Sequence, residues 1–138
     1  MPKKIFLIED EEQIRKMYKE TLVLGGCIVE TSQNGQQAVE KLITGQPDYD
    51  LILLDIMMPG LDGINVLKRI KADISPARHI PVFMLTNLFT EPLKEEALLL
   101  GAEKFLSKID LTPKQILEKI NSFFSSLSSP SSLSSPLS

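Results

Sequence analysis

Short apolar runs recur along the chain, each bounded by charged or turn-forming residues. Ile5-Phe6-Leu7-Ile8, Leu51-Ile52-Leu53-Leu54 and Val82-Phe83-Met84-Leu85 are too short for helices and do not alternate with polar residues. That pattern predicts strands buried on both faces, as in a parallel sheet. Weaker strand signals fall at 27–31 and 104–107. Between the runs the period changes to that of helices with one apolar face: Ile14, Met17, Tyr18 and Leu22; then Ala38, Val39, Leu42 and Ile43; then Ile64, Leu67 and Ile70. A fourth helix is expected over 91–100, stopped by Gly101. A fifth begins at Pro113 with Thr112 as its cap and carries Ile116, Leu117, Ile120 and Phe123. Five repeats of strand then helix predict an α/β fold, a parallel sheet with right-handed crossovers and helices on both faces. Sites in such sheets form beyond the carboxyl ends of the strands.

After Phe124 the pattern stops. Ser125-Ser126-Leu127-Ser128-Ser129-Pro130 and a near repeat of it run to Ser138. This low-complexity tail is expected to be disordered, which makes residues 1–124 the domain and 125–138 an appendage. A hydrophobic share of 43% with 24% charged residues fits one soluble globular domain. The net charge of -3, with its basic residues scattered, lacks the footprint of a nucleic-acid binder, so no direct nucleic-acid contact is expected. Cys27 stands alone, which excludes an internal disulfide and a Cys-rich zinc site and suits a reducing compartment, the cytoplasm. The apolar stretch after Met1-Pro2-Lys3-Lys4 is too short for a signal peptide, and no run approaches the roughly 20 apolar residues of a membrane span. Neither secretion nor membrane association is expected.

The chemistry gathers at the strand ends. Glu9 and Asp10 follow the first strand, Asp55 ends the third, Thr86 ends the fourth and Lys108 follows the fifth. On one rim of a parallel sheet these residues converge. Like-charged carboxylates at about 4 Å repel by about 4 kcal/mol per pair at an effective dielectric near 20, before screening, so a compensating cation is implied. A donor set of oxygens without His or Cys favours Mg²⁺ or Mn²⁺ over zinc. A carboxylate nucleophile, a bridging cation, a lysine and a hydroxyl donor together suit the making and breaking of an aspartyl phosphate.

Four segments carry a family likeness: Phe6-Leu7-Ile8-Glu9-Asp10-Glu11, Leu54-Asp55-Ile56-Met57-Met58-Pro59-Gly60-Leu61-Asp62-Gly63, Met84-Leu85-Thr86-Asn87, and Gly101-Ala102-Glu103-Lys104-Phe105-Leu106-Ser107-Lys108. In this order, each at a strand end, they resemble the receiver domains of two-component response regulators over residues 3–124. The resemblance implies a flavodoxin-like (βα)5 fold with strand order 2-1-3-4-5. It implies a phosphorylation switch that is not a turnover enzyme, with Asp55 as phosphoacceptor. Mg²⁺ would be held by Asp10, Asp55 and the backbone carbonyl of Met57, with Glu9 acting through water. Thr86, Asn87 and Lys108 would attend the phosphoryl group, with Thr86 and Phe105 as the switch pair. In the family the aromatic ring turns inward on activation and remodels the face of the fourth helix, fifth strand and fifth helix. A histidine kinase or histidine phosphotransfer protein would be the donor, and a downstream protein or a second copy the recipient of the signal.

Four positions depart from the family pattern. Glu9 stands where Asp is commoner, and Ile109 follows Lys108 where proline is usual. Met57 and Leu88 put apolar groups where the family tunes dephosphorylation, from which a long-lived phosphorylated state is expected. Two other readings compete with the switch. A phosphohydrolase using Asp55 would ordinarily carry a second acid two residues on, where this chain has Met57. An unmodified flavodoxin-like interaction module would simply not react. Blander roles suit other residues: Asp62, Gly60 and Gly63 as turn formers, His79 as a solvated loop residue, Cys27 as a small buried hydrophobe, and Leu98-Leu99-Leu100 as core and helix face.

Overall fold

The computed structural model describes residues 1–128. Five strands, β1 (Lys4–Ile8), β2 (Ile28–Ser32), β3 (Leu51–Asp55), β4 (Val82–Thr86) and β5 (Lys104–Ser107), alternate with five helices. The helices are α1 (Glu12–Leu24), α2 (Gly35–Ile43), α3 (Gly63–Ile70), α4 (Glu91–Leu99) and α5 (Pro113–Ser128). All strand pairs are parallel, in the order β2-β1-β3-β4-β5. This is the expected flavodoxin-like sheet.

The unbroken apolar runs are explained by two cores, one on each face. Along β1, Phe6 and Ile8 face one core while Ile5 and Leu7 face the other, and β3 and β4 divide in the same way. Helices α2, α3 and α4 cover the first face through Leu42, Leu67 and Ala97; α1 and α5 cover the second through Tyr18, Leu22, Ile116 and Ile120. Burial on both faces of the central strands holds the register firmly, because a slip of one residue would exchange the two sets.

Local chemistry sets the helix starts. Asn34 caps α2 by accepting from Gln37 N–H at 2.8 Å. At α5, Thr112 Oγ1 accepts from Gln115 N–H while Gln115 Oε1 accepts from Thr112 N–H, a reciprocal pair that satisfies two donors at once. Asp62 caps α3, accepting from Asn65 N–H at 2.9 Å. Asp62→Ala is therefore expected to cost about 1 kcal/mol, read as a lower urea midpoint with unchanged slope.

Several expectations need correction. The second strand begins at Ile28, and Cys27 is half-buried in the turn ahead of it. Gly63 does more than form a turn: a Cβ there would collide with the Asp55 carbonyl oxygen and lie 2.6 Å from Ile56 Cα. Only glycine lets α3 start this close to the end of β3. Gly60, at φ +79, is the turn former. In the leucine run, Leu98 and Leu99 form the exposed helix face and Leu100 packs on the first core, while α4 itself buries Ala97 alone. Helix α5 continues past Phe124 to Ser128, held by Phe123 against Phe83 at 5.2 Å and by Phe124 beneath Lys3. The expected tail thus starts as helix, and residues 129–138 lie outside the described residues. No helix among the described residues is long and apolar enough to cross a membrane.

Candidate phosphoacceptor site

The parallel register carries the strand ends to one rim. Asp55 pairs with Leu85 and Thr86 with Ser107, while Ile8, just before Glu9, pairs with Leu54. Lys108 N–H donates to Thr86 O at 2.8 Å, so the residue after β5 turns back over the same rim. Residues remote in sequence are thereby joined without any motif that contains them all.

Glu9, Asp10 and Asp55 each present a carboxylate oxygen, all within 4.8 Å of one another. Glu9 is 1% exposed and Asp55 2%, a burial that carboxylates tolerate only with compensation. Lys108 supplies part of it, with Nζ 2.8 Å from Glu9 Oε1 and 3.2 Å from Asp55 Oδ1. Glu9 Oε2 also accepts from Glu11 N–H at 3.2 Å. Asp55 Oδ1 is enclosed, with the Lys108 ammonium as its ionic partner and no aligned hydrogen bond. Three carboxylates against one ammonium leave an acidic site. Burial, and then the charge of Glu9, push the Asp55 carboxyl up to about 7 against the pull of Lys108. Burial alone would lower Lys108, but its bond to Glu9 and the charges of Asp55 and Glu9 outweigh it and hold the ammonium above its ordinary range.

A cluster of three carboxylates offering oxygens alone, with a single ammonium against them, fits a hard divalent cation. Its charge would offset the repulsion that Lys108 leaves.

The other expected residues sit around this centre. Thr86 is fully buried at the end of β4, and its hydroxyl is engaged with the backbone of Leu88. Asn87 follows it and is exposed. Phe105 lies in β5 with its ring in the core, 6% exposed, so the ring already faces inward. Met57 and Leu88 are about half exposed on the rim. With Ile64 and Leu93 they line an open groove of about 770 Å³ to which none of the three carboxylates contributes. Ile109 is 72% exposed, and no cis peptide bond occurs among the described residues. Asp62 is spent on its cap, and His79 is exposed.

Sequence reasoning missed two contributors. Arg15, on the first turn of α1, donates from Nη1 to the carbonyls of Glu9 at 2.9 Å and Asp10 at 3.3 Å, fixing the loop that carries both acids. Phe89 covers Phe105 edge-on with ring centroids 5.0 Å apart. An arginine six residues after the first acid, one helical turn in, was the available signal for the former; a loop phenylalanine carries no comparable signal.

A doubly wound parallel sheet carries at its carboxyl rim an acidic triad, two of its members buried, and a buried lysine. The chain belongs to the response regulator receiver domain family, whose model matches residues 5–121. The chemotaxis protein CheY of Bacillus subtilis is 35% identical over 122 residues, covering 88% of this chain and 97% of that protein. The alkaline phosphatase synthesis transcriptional regulatory protein PhoP of B. subtilis is 34% identical over 134 residues, 96% of this chain and 53% of that protein. The chain thus spans about half the length of curated relatives of that kind. Among solved structures, a chain of the CheX-CheY-BeF3-Mg²⁺ complex from Borrelia burgdorferi superposes with a TM-score of 0.79 at 29% identity, over 90% of each chain. The family is one of phosphorylation-activated signalling switches.

Proposed function

We propose that Asp55 is the phosphoacceptor of this switch and that a histidine kinase or histidine phosphotransfer protein loads it. The observation that carries this reading is the buried Asp55 carboxylate, paired with Lys108 at 3.2 Å and grouped with two further carboxylates. In the transfer, an Asp55 carboxylate oxygen forms a bond to phosphorus as the bond to the donor nitrogen breaks, and the freed imidazole regains a proton from solvent. Lys108 is placed to pair with a phosphoryl oxygen. Thr86 is the hydroxyl donor to another, Asn87 borders the entry, and Phe105 floors the adjoining switch.

The residues that would hold Mg²⁺ are Glu9, Asp10, Asp55 and the backbone carbonyl of Met57. Mg²⁺ bound there would neutralise charge on the triad and on the phosphoryl oxygens. The Borrelia CheY complex contains both Mg²⁺ and BeF3 by its description, which supports the choice of ion. Mn²⁺ has the same oxygen preference.

The phosphorylated form acts through the face of α4, β5 and α5 on a downstream protein or a second copy of the chain, in the cytoplasm and without contacting DNA directly. The phosphohydrolase reading is disfavoured by Met57 at the position where a second acid is needed, and by the absence of all three carboxylates from the neighbouring groove.

Incubation with Mg²⁺ and acetyl phosphate, followed by intact mass measurement, tests the reading. One phosphoryl group per chain is expected, and none when Mg²⁺ is chelated or Asp55 is replaced by Asn. Continuous phosphate release without a labelled chain would instead identify an enzyme, and uptake by Asp55→Asn would remove Asp55 from its role.

A further inference from the structure

The hydroxyl of Thr86 has one hydrogen, and it is already used. Oγ1 donates to Leu88 O at 3.0 Å and accepts from Leu88 N–H at 2.8 Å, folding the start of the β4–α4 loop back onto the strand end. The next residue, Phe89, sets its ring edge-on against Phe105 at an interplanar angle of 65°, and the Lys94 ammonium lies 5.9 Å from its centroid. Thr86, Leu88, Phe89 and Phe105 therefore form one mechanical chain, from the phosphoacceptor rim to the α4–β5 surface.

The two rings are not equally free. Phe105 is 6% exposed within the core shared by β1, β3 and β4, and turning it outward would bare a buried aromatic side chain. Phe89 is 42% exposed and is held by one edge contact and one cation. A hydroxyl that donates to a phosphoryl oxygen cannot also donate to Leu88 O. Loading Asp55 thus competes directly with the tie that keeps Leu88, and Phe89 after it, in place.

We propose that Phe89, not Phe105, is the aromatic ring that moves in this chain. When Thr86 turns its hydroxyl to a phosphoryl group on Asp55, Leu88 is released and Phe89 lifts from Phe105, which stays in the core. The surface shown to a partner then changes by uncovering the edge of Phe105. This inference rests on Asp55 being the phosphoacceptor.

The chain contains no tryptophan, so Phe89→Trp places a single indole on the moving ring, and Phe105→Trp places one on the static ring. Each full-length variant is treated with Mg²⁺ and acetyl phosphate, and emission and intact mass are recorded on the same sample. With the phosphoryl group gained, the indole at 89 is expected to shift its emission to longer wavelength and to become much more accessible to acrylamide, while the indole at 105, which stays in the core and loses only the cover on its edge, changes far less in both. Adding Thr86→Val to Phe89→Trp is expected to give the red-shifted emission before phosphorylation and no further response after it. In the unsubstituted chain, the Leu88 amide is expected to exchange faster once Asp55 is loaded. A gain in mass with the indole at 89 still shielded and the Leu88 amide still protected would overturn the inference alone. No gain in mass would overturn the phosphoacceptor reading, and this inference with it.

Discussion

Asp55→Asn is expected to stabilise the ion-free protein at pH 8 by on the order of 2–4 kcal/mol. The folded-state carboxyl is held up to about 7 by burial and by Glu9, against an ordinary 3.8. Below about pH 4 the side chain is protonated in both folded and unfolded states and imposes no penalty. Between about pH 4 and about pH 7 the folded chain keeps a proton that the unfolded chain has released, so this residue's contribution falls as pH rises. Above that range the full repulsion is present. Asparagine has nearly the same volume and no charge, so the difference between variant and wild type should open across this window and then level off. Urea unfolding in a chelating buffer from pH 4 to 8 measures it, and added Mg²⁺ should narrow the gap by binding only the folded wild-type site. Equal stability at every pH would mean that Asp55 is neither buried nor close to Glu9 in solution.

Removing the only ammonium shown at the site should do the reverse. Lys108→Met keeps most of the side-chain length but leaves Glu9 and Asp55 buried beside Asp10 with no positive partner. Breaking a buried pair by deleting one member typically costs about 3–5 kcal/mol, because the remaining charge stays buried. The expected loss is about 3 kcal/mol at pH 8, smaller at pH 5 because Asp55 can accept a proton there. Combining Lys108→Met with Asp55→Asn should recover much of it, since the double variant buries one charge fewer. Additive effects in the double-mutant cycle would contradict the 3.2 Å contact between the two residues.

The fold was legible because burial on both faces writes itself into the sequence as continuous apolar runs. β3 and β4 are buried at every position, and both read as strands from their composition. Edges were less legible. β2 has a partner on one side only and an exposed first residue, so its weaker pattern placed it one residue early. The end of α5 was misjudged because serine-rich composition says little about helix termination, whereas the packing of Phe123 and Phe124 supports the last turns. In α4, the leucine run alone does not say which members are core and which are helix face: Leu99 is 88% exposed because the helix touches the sheet mainly through Ala97 and its half-buried neighbours Leu93 and Leu100.

The convergence of Glu9, Asp10, Asp55 and Lys108 followed from topology alone, since a parallel sheet puts every strand's carboxyl end on one rim. The state of Thr86 and Phe105 could not be read in advance. Which backbone group a threonine hydroxyl selects, and whether a loop phenylalanine covers a strand phenylalanine, depend on the path of a loop that carries no periodic signal. Arg15 shows the same limit, because it acts on backbone carbonyls that a sequence does not display.

The most direct measurement of the central claim locates the phosphoryl group. The chain is loaded with acetyl phosphate and Mg²⁺, reduced with borohydride, which converts an aspartyl phosphate to homoserine, and digested for sequencing by mass spectrometry. Homoserine at position 55, absent when Mg²⁺ is chelated, is the expected result. Reduction at another carboxylate, or phosphate retained on a serine or threonine with position 55 intact, would contradict it.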